Sequence, residues 1–176
     1  MARVGQGIRM TIGLLTPTPL GLARLLAGEN HIEGCEVVDG ALPPEFILQA
    51  AVDVANDDEA LKWVVPHLFV SADEALVVGS GGFKGPPADG AVEIGYGVAP
   101  SARGRGFATQ AVRLLVALAF EVPGVTCVCA ETAPDNLPSR RVLEKAGFSR
   151  VGQRETLDDG TVDCWSRERP RRPITS

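Results

Sequence analysis

The sequence predicts a single domain of the mixed α/β class. Three observations carry that prediction. Three strand-like segments follow one another between His67 and Val98, separated by glycine- and proline-rich turns, and read as an antiparallel meander. An apolar helical stretch then leads to a further β-branched strand, the order of a parallel crossover. The length, 176 residues, leaves room for one proper core.

The elements follow in chain order. Arg9 to Thr16 holds a short apolar stretch and reads as a first strand. Thr18-Pro19 marks a helix start, a hydroxyl cap followed by proline at the first helical position, and Leu20 to Leu26 is that helix. Glu36 to Asp39 is a strand fragment, and Pro43-Pro44 breaks whatever precedes it. Glu45 to Ala55 places Phe46, Ile47, Ala50, Ala51 and Val54 at helical spacing. Glu59 to Val65 fits helix or strand equally. The meander is His67–Ser71, Ala75–Ser80 and Val92–Val98, with Gly81-Gly82 closing the second strand. A helix follows from Gly104 to Phe120, apolar nearly all round from Leu114, so that it must be buried against a sheet. Val125 to Ala130 is a strand. Asn136 to Ala146 is a helix capped by Asn136 and stopped by Gly147. Thr161 to Arg167 is a last strand behind the turn Asp158-Asp159-Gly160. Residues 8–168 are expected to form the core of one domain spanning 1–176, with 169–176 a loose tail.

Charge and cysteines narrow the function classes. The net charge is −5 and the pI about 5.1, so no broad basic face is available to neutralise phosphates of a nucleic acid. The acidic balance is compatible with a cationic amine as substrate. Cys35, Cys127, Cys129 and Cys164 form no C-x-x-C pair, and the reading is four buried small hydrophobes in a reducing compartment. With only His31 and His67, a zinc site is poorly supplied and no metal is expected. Met1 to Met10 lacks a long apolar core, and no run approaches the roughly 18 apolar residues of a membrane span. The expectation is a soluble cytoplasmic protein with no membrane or nucleic-acid partner.

The informative stretch runs from Val98 to Thr109. A strand ends, a turn rich in small residues follows, and a helix begins. Backbone N–H groups at a helix start lack intrahelical partners, and the helix dipole adds partial positive charge. Gly104 and Gly106 carry no Cβ, so an anion can approach the backbone, and Arg103 and Arg105 add full charges. This is an anion cradle suited to phosphate or pyrophosphate. A Walker loop is excluded because its lysine is missing. The dinucleotide fingerprint is only partly met, because Thr109 stands at its third glycine.

Arg103-Gly104-Arg105-Gly106-Phe107-Ala108 matches every fixed position of the pattern Q/R-x-x-G-x-G/A, and Val98-Ala99-Pro100 precedes it. Further on stands Asn136-Leu137-Pro138-Ser139, followed by Val142-Leu143-Glu144-Lys145-Ala146-Gly147-Phe148. The two motifs together resemble those of the GNAT superfamily of N-acetyltransferases. Glu93-Ile94-Gly95-Tyr96 and Gly82-Phe83 are most similar to its branch of ribosomal-protein-alanine N-acetyltransferases. The resemblance covers about Ala75 to Gly152.

It implies a mixed, splayed sheet flanked by helices, the acyl-CoA N-acyltransferase fold. It also implies acetyl transfer from acetyl-CoA to a primary amine: a protein N-terminus, an amino acid or a small amine. Direct attack in a ternary complex is the expected route, and a homodimer is compatible with it. The cofactor residues it implies are Tyr96, Val98, Arg103, Gly104, Arg105, Gly106, Phe107, Ala108, Thr109, Asn136, Ser139 and Arg140, with Arg141 an alternative to Arg140. The tyrosine that many members carry seven residues after the asparagine is Leu143 here, which leaves the acid open. Ser139 is the candidate donor to the leaving thiolate, or else a first-turn helix cap. Glu93 is the candidate base, or else a surface carboxylate, with His67 and Glu131 behind it. Trp63, His67 and Phe83, with Trp165, are candidates for the acceptor pocket. Asp53, Asp57, Asp58 and Glu59 stand where an acceptor rim would be, and equally fit a solvated helix end. Leu143 also keeps open a non-catalytic acyl-CoA-binding module.

Overall fold

The computed structural model describes residues 11–158 and 160–170. Among these described residues, nine strands form one mixed sheet. They are β1 (Ile12–Leu15), β2 (His31–Ile32), β3 (Cys35–Val37), β4 (His67–Ser71), β5 (Leu76–Phe83), β6 (Ala91–Val98), β7 (Cys127–Thr132), β8 (Ser149–Thr156) and β9 (Gly160–Glu168). Five helices flank it: α1 (Pro19–Leu26), α2 (Glu45–Asp53), α3 (Asp58–Val64), α4 (Phe107–Glu121) and α5 (Leu137–Lys145). The main path of the sheet is β1-β4-β5-β6-β7-β9-β8.

The expected meander is present: β4, β5 and β6 pair antiparallel in sequence order. The expected crossover is present too, since β6 and β7 pair parallel across α4. Helix α4 turns Phe107, Ala111, Val112, Leu115, Val116 and Ala119 inward, which is why its sequence is apolar over so wide an arc. Thr18 caps α1 by accepting from the Gly21 N–H at 3.1 Å. The ambiguous stretch before His67 is helix α3, fixed by Asp57, whose carboxylate accepts from the Ala60 N–H at 3.0 Å.

Three expectations change. Gly81 and Gly82 do not close β5; they lie within it. A Cβ on Gly81 would meet the Gly95 carbonyl oxygen at 2.6 Å, so glycine here permits close backbone approach rather than a turn. Strand β8 was not expected, because its polar sequence SRVGQRET carries no apolar alternation. It pairs only with β9 at the sheet edge, where charged, exposed residues protect against further pairing. The tail is not loose at its start. Arg169 donates its Nε to the Val125 carbonyl at 2.7 Å and stacks on Phe120, while residues 171–176 lie outside the described set. Arg9 and Met10 of the expected first strand, and Asp159 of the last turn, also lie outside it.

Among the described residues no helix is long and apolar enough to cross a membrane. No cluster of three or more histidine, cysteine or carboxylate side chains among them can hold a metal ion.

Candidate active site

The site begins where the sheet parts. β6 pairs β7 only from Ala91 to Ile94, whereas β5 pairs β6 from Ile94 to Val98. Beyond Ile94, β6 therefore presents Gly95–Val98 as an open edge toward β7. An open strand edge binds an extended ligand through its main chain. The gap arises because β7 continues to Thr132 paired with β9 and diverges from β6.

The end of β6 leads into a single 3-10 turn, Pro100–Ala102, and then into the glycine loop. Gly104 and Gly106 have φ of 77° and 80°, the left-handed region that glycine enters without strain. Their conformation delays α4 to Phe107, three residues later than the pattern predicts. Gly106 caps the helix with no side-chain hydrogen bond. No atom lies within 4 Å of a Cβ built on either glycine, so the space they face is open. A cavity of about 680 Å³ fills this gap between β6, the loop and α5.

Val98, Arg103, Gly104, Gly106, Phe107, Ala108, Thr109, Asn136, Ser139 and Tyr96 all line that cavity. Two expected residues do not. Arg105 turns its guanidinium to Glu74, with Nη2 donating to Oε2 at 2.8 Å, and stacks on Phe107 at 4.6 Å. Arg140 donates Nη1 to the Pro134 carbonyl at 3.1 Å and lies 3.6 Å from Asp163. Both arginines are drawn to fixed acceptors that sequence spacing does not reveal. Arg141 lines the cavity in their place, and Lys145, which the sequence reading missed, lines it one helical turn on. The i, i+4 spacing of Arg141 and Lys145 on α5 was the signal for it. Arg103, Arg141 and Lys145 supply positive charge, and no carboxylate is among the described residues of the lining.

Asn136 caps α5, its side-chain oxygen accepting from the Ser139 N–H at 3.2 Å. Ser139 is therefore not the cap, and its hydroxyl is free for another partner. That partner is Tyr96: the two hydroxyl oxygens stand 2.7 Å apart. The Tyr96 O–H also lies 3.2 Å from the Ser139 carbonyl. Burial holds the phenol above its ordinary range, so it stays protonated near neutral pH. Leu143 is fully buried in the core beneath α5.

A second cavity, of about 490 Å³, meets the first at Tyr96 and Gly97, which line both. Trp63 and Phe83 line it as expected, with ring centroids 5.3 Å apart and edge-on. Phe46, Ile47, Leu42 and Lys84 join them. His67 is not in the lining. It is 5% exposed, packs edge-on against Phe83 from behind, and shares a 2.9 Å hydrogen bond between Nδ1 and Thr16 Oγ1. Burial lowers its pKa, so the ring is neutral at pH 7. Trp165 is also core, its indole N–H donating to Thr132 Oγ1 at 3.0 Å. Glu93 lies on β6, on the face of Gly95 and Gly97, and forms an ion pair with Lys84. It lines neither cavity. Glu131 is ion-paired with Arg154. The four free cysteines lie outside both cavities, and burial beside Cys129 pushes the Cys127 thiol up to about 12.

Fold and cavities together define an α/β protein whose sheet splays beside an anion cradle, with a second, apolar cleft opening onto the same strand. Comparison with known proteins places it within that class. The model of the acetyltransferase (GNAT) domain family matches residues 43–149. The chain belongs to this family, and its fold is the GNAT fold. It is 35% identical over 82 residues to the uncharacterized N-acetyltransferase YjdG of Bacillus subtilis, a match covering 46% of this chain and 49% of that protein. It thus spans about half the length of that curated relative. Among solved structures it is similar to aminoglycoside acetyltransferase AAC(6')-Ib in complex with coenzyme A. The TM-score is 0.64 at 28% identity, over 90% of this chain and 95% of that one. Mycobacterium smegmatis RimJ in complex with CoA-disulfide superposes with a TM-score of 0.64 at 22% identity, over 91% of this chain and 83% of that one.

Proposed function

We propose that this chain transfers an acetyl group from acetyl-CoA to a primary amine by direct attack in a ternary complex. The observation that carries the reading is the meeting of two cavities at Tyr96 and Gly97. One has a cradle for phosphates and the other an apolar cleft for an acceptor. A single sheet carries both, so one domain serves both ligands.

The residues present fit acetyl-CoA. The backbone of Gly95–Val98 offers the open edge for the pantetheine arm. The first-turn N–H groups of α4, from Phe107 to Thr109, bind the pyrophosphate together with Gly104 and Gly106. Arg103, Arg141 and Lys145 add charge where the lining holds no competing carboxylate. Acetyl-CoA supplies the activated acyl thioester.

Within the chain, Ser139 Oγ and Tyr96 Oη form the donor pair for the departing sulfur, in place of the tyrosine replaced by Leu143. The main chain at Val98 is the candidate for polarising the carbonyl. Glu93 is the candidate base, acting through water once its Lys84 partner yields. No cysteine sits in a setting that favours a covalent acyl-enzyme. The finer reading as a ribosomal-protein-alanine N-acetyltransferase rests on the short motifs before the loop; identity to the aminoglycoside enzyme is higher.

A second reading is a non-catalytic acyl-CoA-binding module. Leu143 in the core and the Lys84 ion pair on Glu93 favour it. One experiment separates the two. Acetyl-CoA affinity is measured by calorimetry, and free thiol is followed with a panel of amines and peptides. Thiol release with at least one amine is the expected result. Tight binding with no thiol released by any amine establishes the module instead. Retention of NAD(P) but not coenzyme A overturns both.

A further inference from the structure

We propose that the acceptor is a monoamine carried on an aromatic or branched apolar body, rather than a polycation; the proposal rests on the acetyl-transfer reading above. The acceptor cleft, about 490 Å³, is of the size that takes a small molecule. Its walls are Phe46, Trp63, Phe83, Leu42 and Ile47. Phe46 is 72% exposed at the mouth, an aromatic side chain left in water where the ligand would enter. Trp63 and Phe83 form an edge-on pair behind it.

The charge of the cleft decides between acceptor classes. Lys84 is the one charged residue among the described residues that line it, and it is a cation. A polycationic acceptor must shed water from several ammonium groups, and each needs an anionic partner in return. The lining offers no carboxylate. Asp57 is committed to capping α3, Asp53 accepts from Gln49 at 2.8 Å, and neither lines the cleft. Glu93, the candidate base, lines neither cavity and is paired with Lys84, so it can serve one ammonium at most, through water. A monoamine brings a single ammonium, which must lose its proton before attack in any case, and its apolar body buries against the rings.

The test uses the full chain with saturating acetyl-CoA and free thiol as readout. The probes are 2-phenylethylamine, spermidine and kanamycin. The expected kcat/KM for phenylethylamine exceeds that for either polycation by tenfold or more, on the order expected for unpaired ammonium groups in an apolar cleft. Phe46→Ala, at an exposed position that the fold tolerates, lowers kcat/KM for phenylethylamine roughly tenfold and leaves acetyl-CoA affinity unchanged. Preference for kanamycin or spermidine overturns this proposal and leaves acetyl transfer standing. A Phe46→Ala variant with unchanged phenylethylamine kinetics also overturns it. Bound acetyl-CoA with no thiol release from any amine overturns acetyl transfer, and this proposal falls with it.

Discussion

Replacing Tyr96 by phenylalanine removes one oxygen and probes the proton donation for which the sequence offered Ser139 but not its partner. The lost atom stands 2.7 Å from Ser139 Oγ and 3.2 Å from the Ser139 carbonyl. The ring remains, so both cavities keep their shape. The stability cost is that of one half-buried hydrogen-bonding hydroxyl, about 1 kcal/mol. For a domain of this size that lowers Tm by about 2–4 °C, too little to unfold it at assay temperature. The chemical cost is larger. A positioned general acid contributes typically ~10²–10⁴ in rate, and a thiol is an easy leaving group, so the low end applies. The expected fall in kcat is therefore roughly 100-fold, about 2.7 kcal/mol of barrier. The phosphate cradle does not involve the phenol, so acetyl-CoA affinity holds. Stopped-flow or steady-state thiol release gives kcat, and calorimetry gives the affinity. Ser139→Ala and the double variant complete a cycle. If the two hydroxyls act as a unit, the double variant is no slower than either single one. A Tyr96→Phe enzyme within threefold of wild-type kcat refutes the donor pair, as does strict additivity of the two losses.

Three further outcomes follow from the geometry. Gly106→Glu puts a carboxylate into the open space at the head of α4 and a side chain at φ 80°. It weakens acetyl-CoA binding more than tenfold while costing about 1–2 kcal/mol of stability, and unchanged affinity in a folded variant refutes the cradle. Glu93→Gln lowers kcat without changing acetyl-CoA affinity, and a variant with full turnover moves the base elsewhere. His67 has a folded pKa below its unfolded value of about 6.5, so the unfolded chain takes up the proton first as pH falls. Its contribution is intact above that pH and declines as pH drops from about 6.5 toward the folded value. His67→Asn flattens that part of the curve in urea unfolding, and a slope identical to wild type refutes the assignment.

What the sequence revealed and concealed divides by the range of the interaction. The loop was legible because its determinants are local. Gly104 and Gly106 adopt positive φ within the stretch that shows them, and the helix dipole begins at the next residue. The crossover and the meander were legible because apolar periodicity records which face is buried. Side-chain destinations were not. Arg105 finds Glu74 31 residues upstream, and Tyr96 finds Ser139 43 residues downstream. Both pairings exist only once the sheet has formed. β8 escaped notice for the opposite reason. An edge strand with both faces half in water has no hydrophobic alternation to display.

Net charge told little about the ligands for a related reason. The chain carries −5, which is compatible with a cationic substrate but does not select one. Yet charges more than a Debye length apart, ~8–10 Å in ordinary buffers, barely feel one another at the surface. What a ligand meets is the local lining. The donor cavity presents Arg103, Arg141 and Lys145 with no acid, and the acceptor cleft presents Lys84 alone. Three of the acids are engaged elsewhere: Glu74 with Arg105, Glu131 with Arg154, and Asp163 with Arg150, where the guanidinium keeps the carboxyl below its usual range. Among the described residues, cations without a carboxylate partner thus line the donor cavity, while the acceptor cleft, whose Lys84 is paired with Glu93, offers no free carboxylate. That arrangement suits a polyanionic donor in one and disfavours a second positive charge in the other, and total charge could have signalled neither.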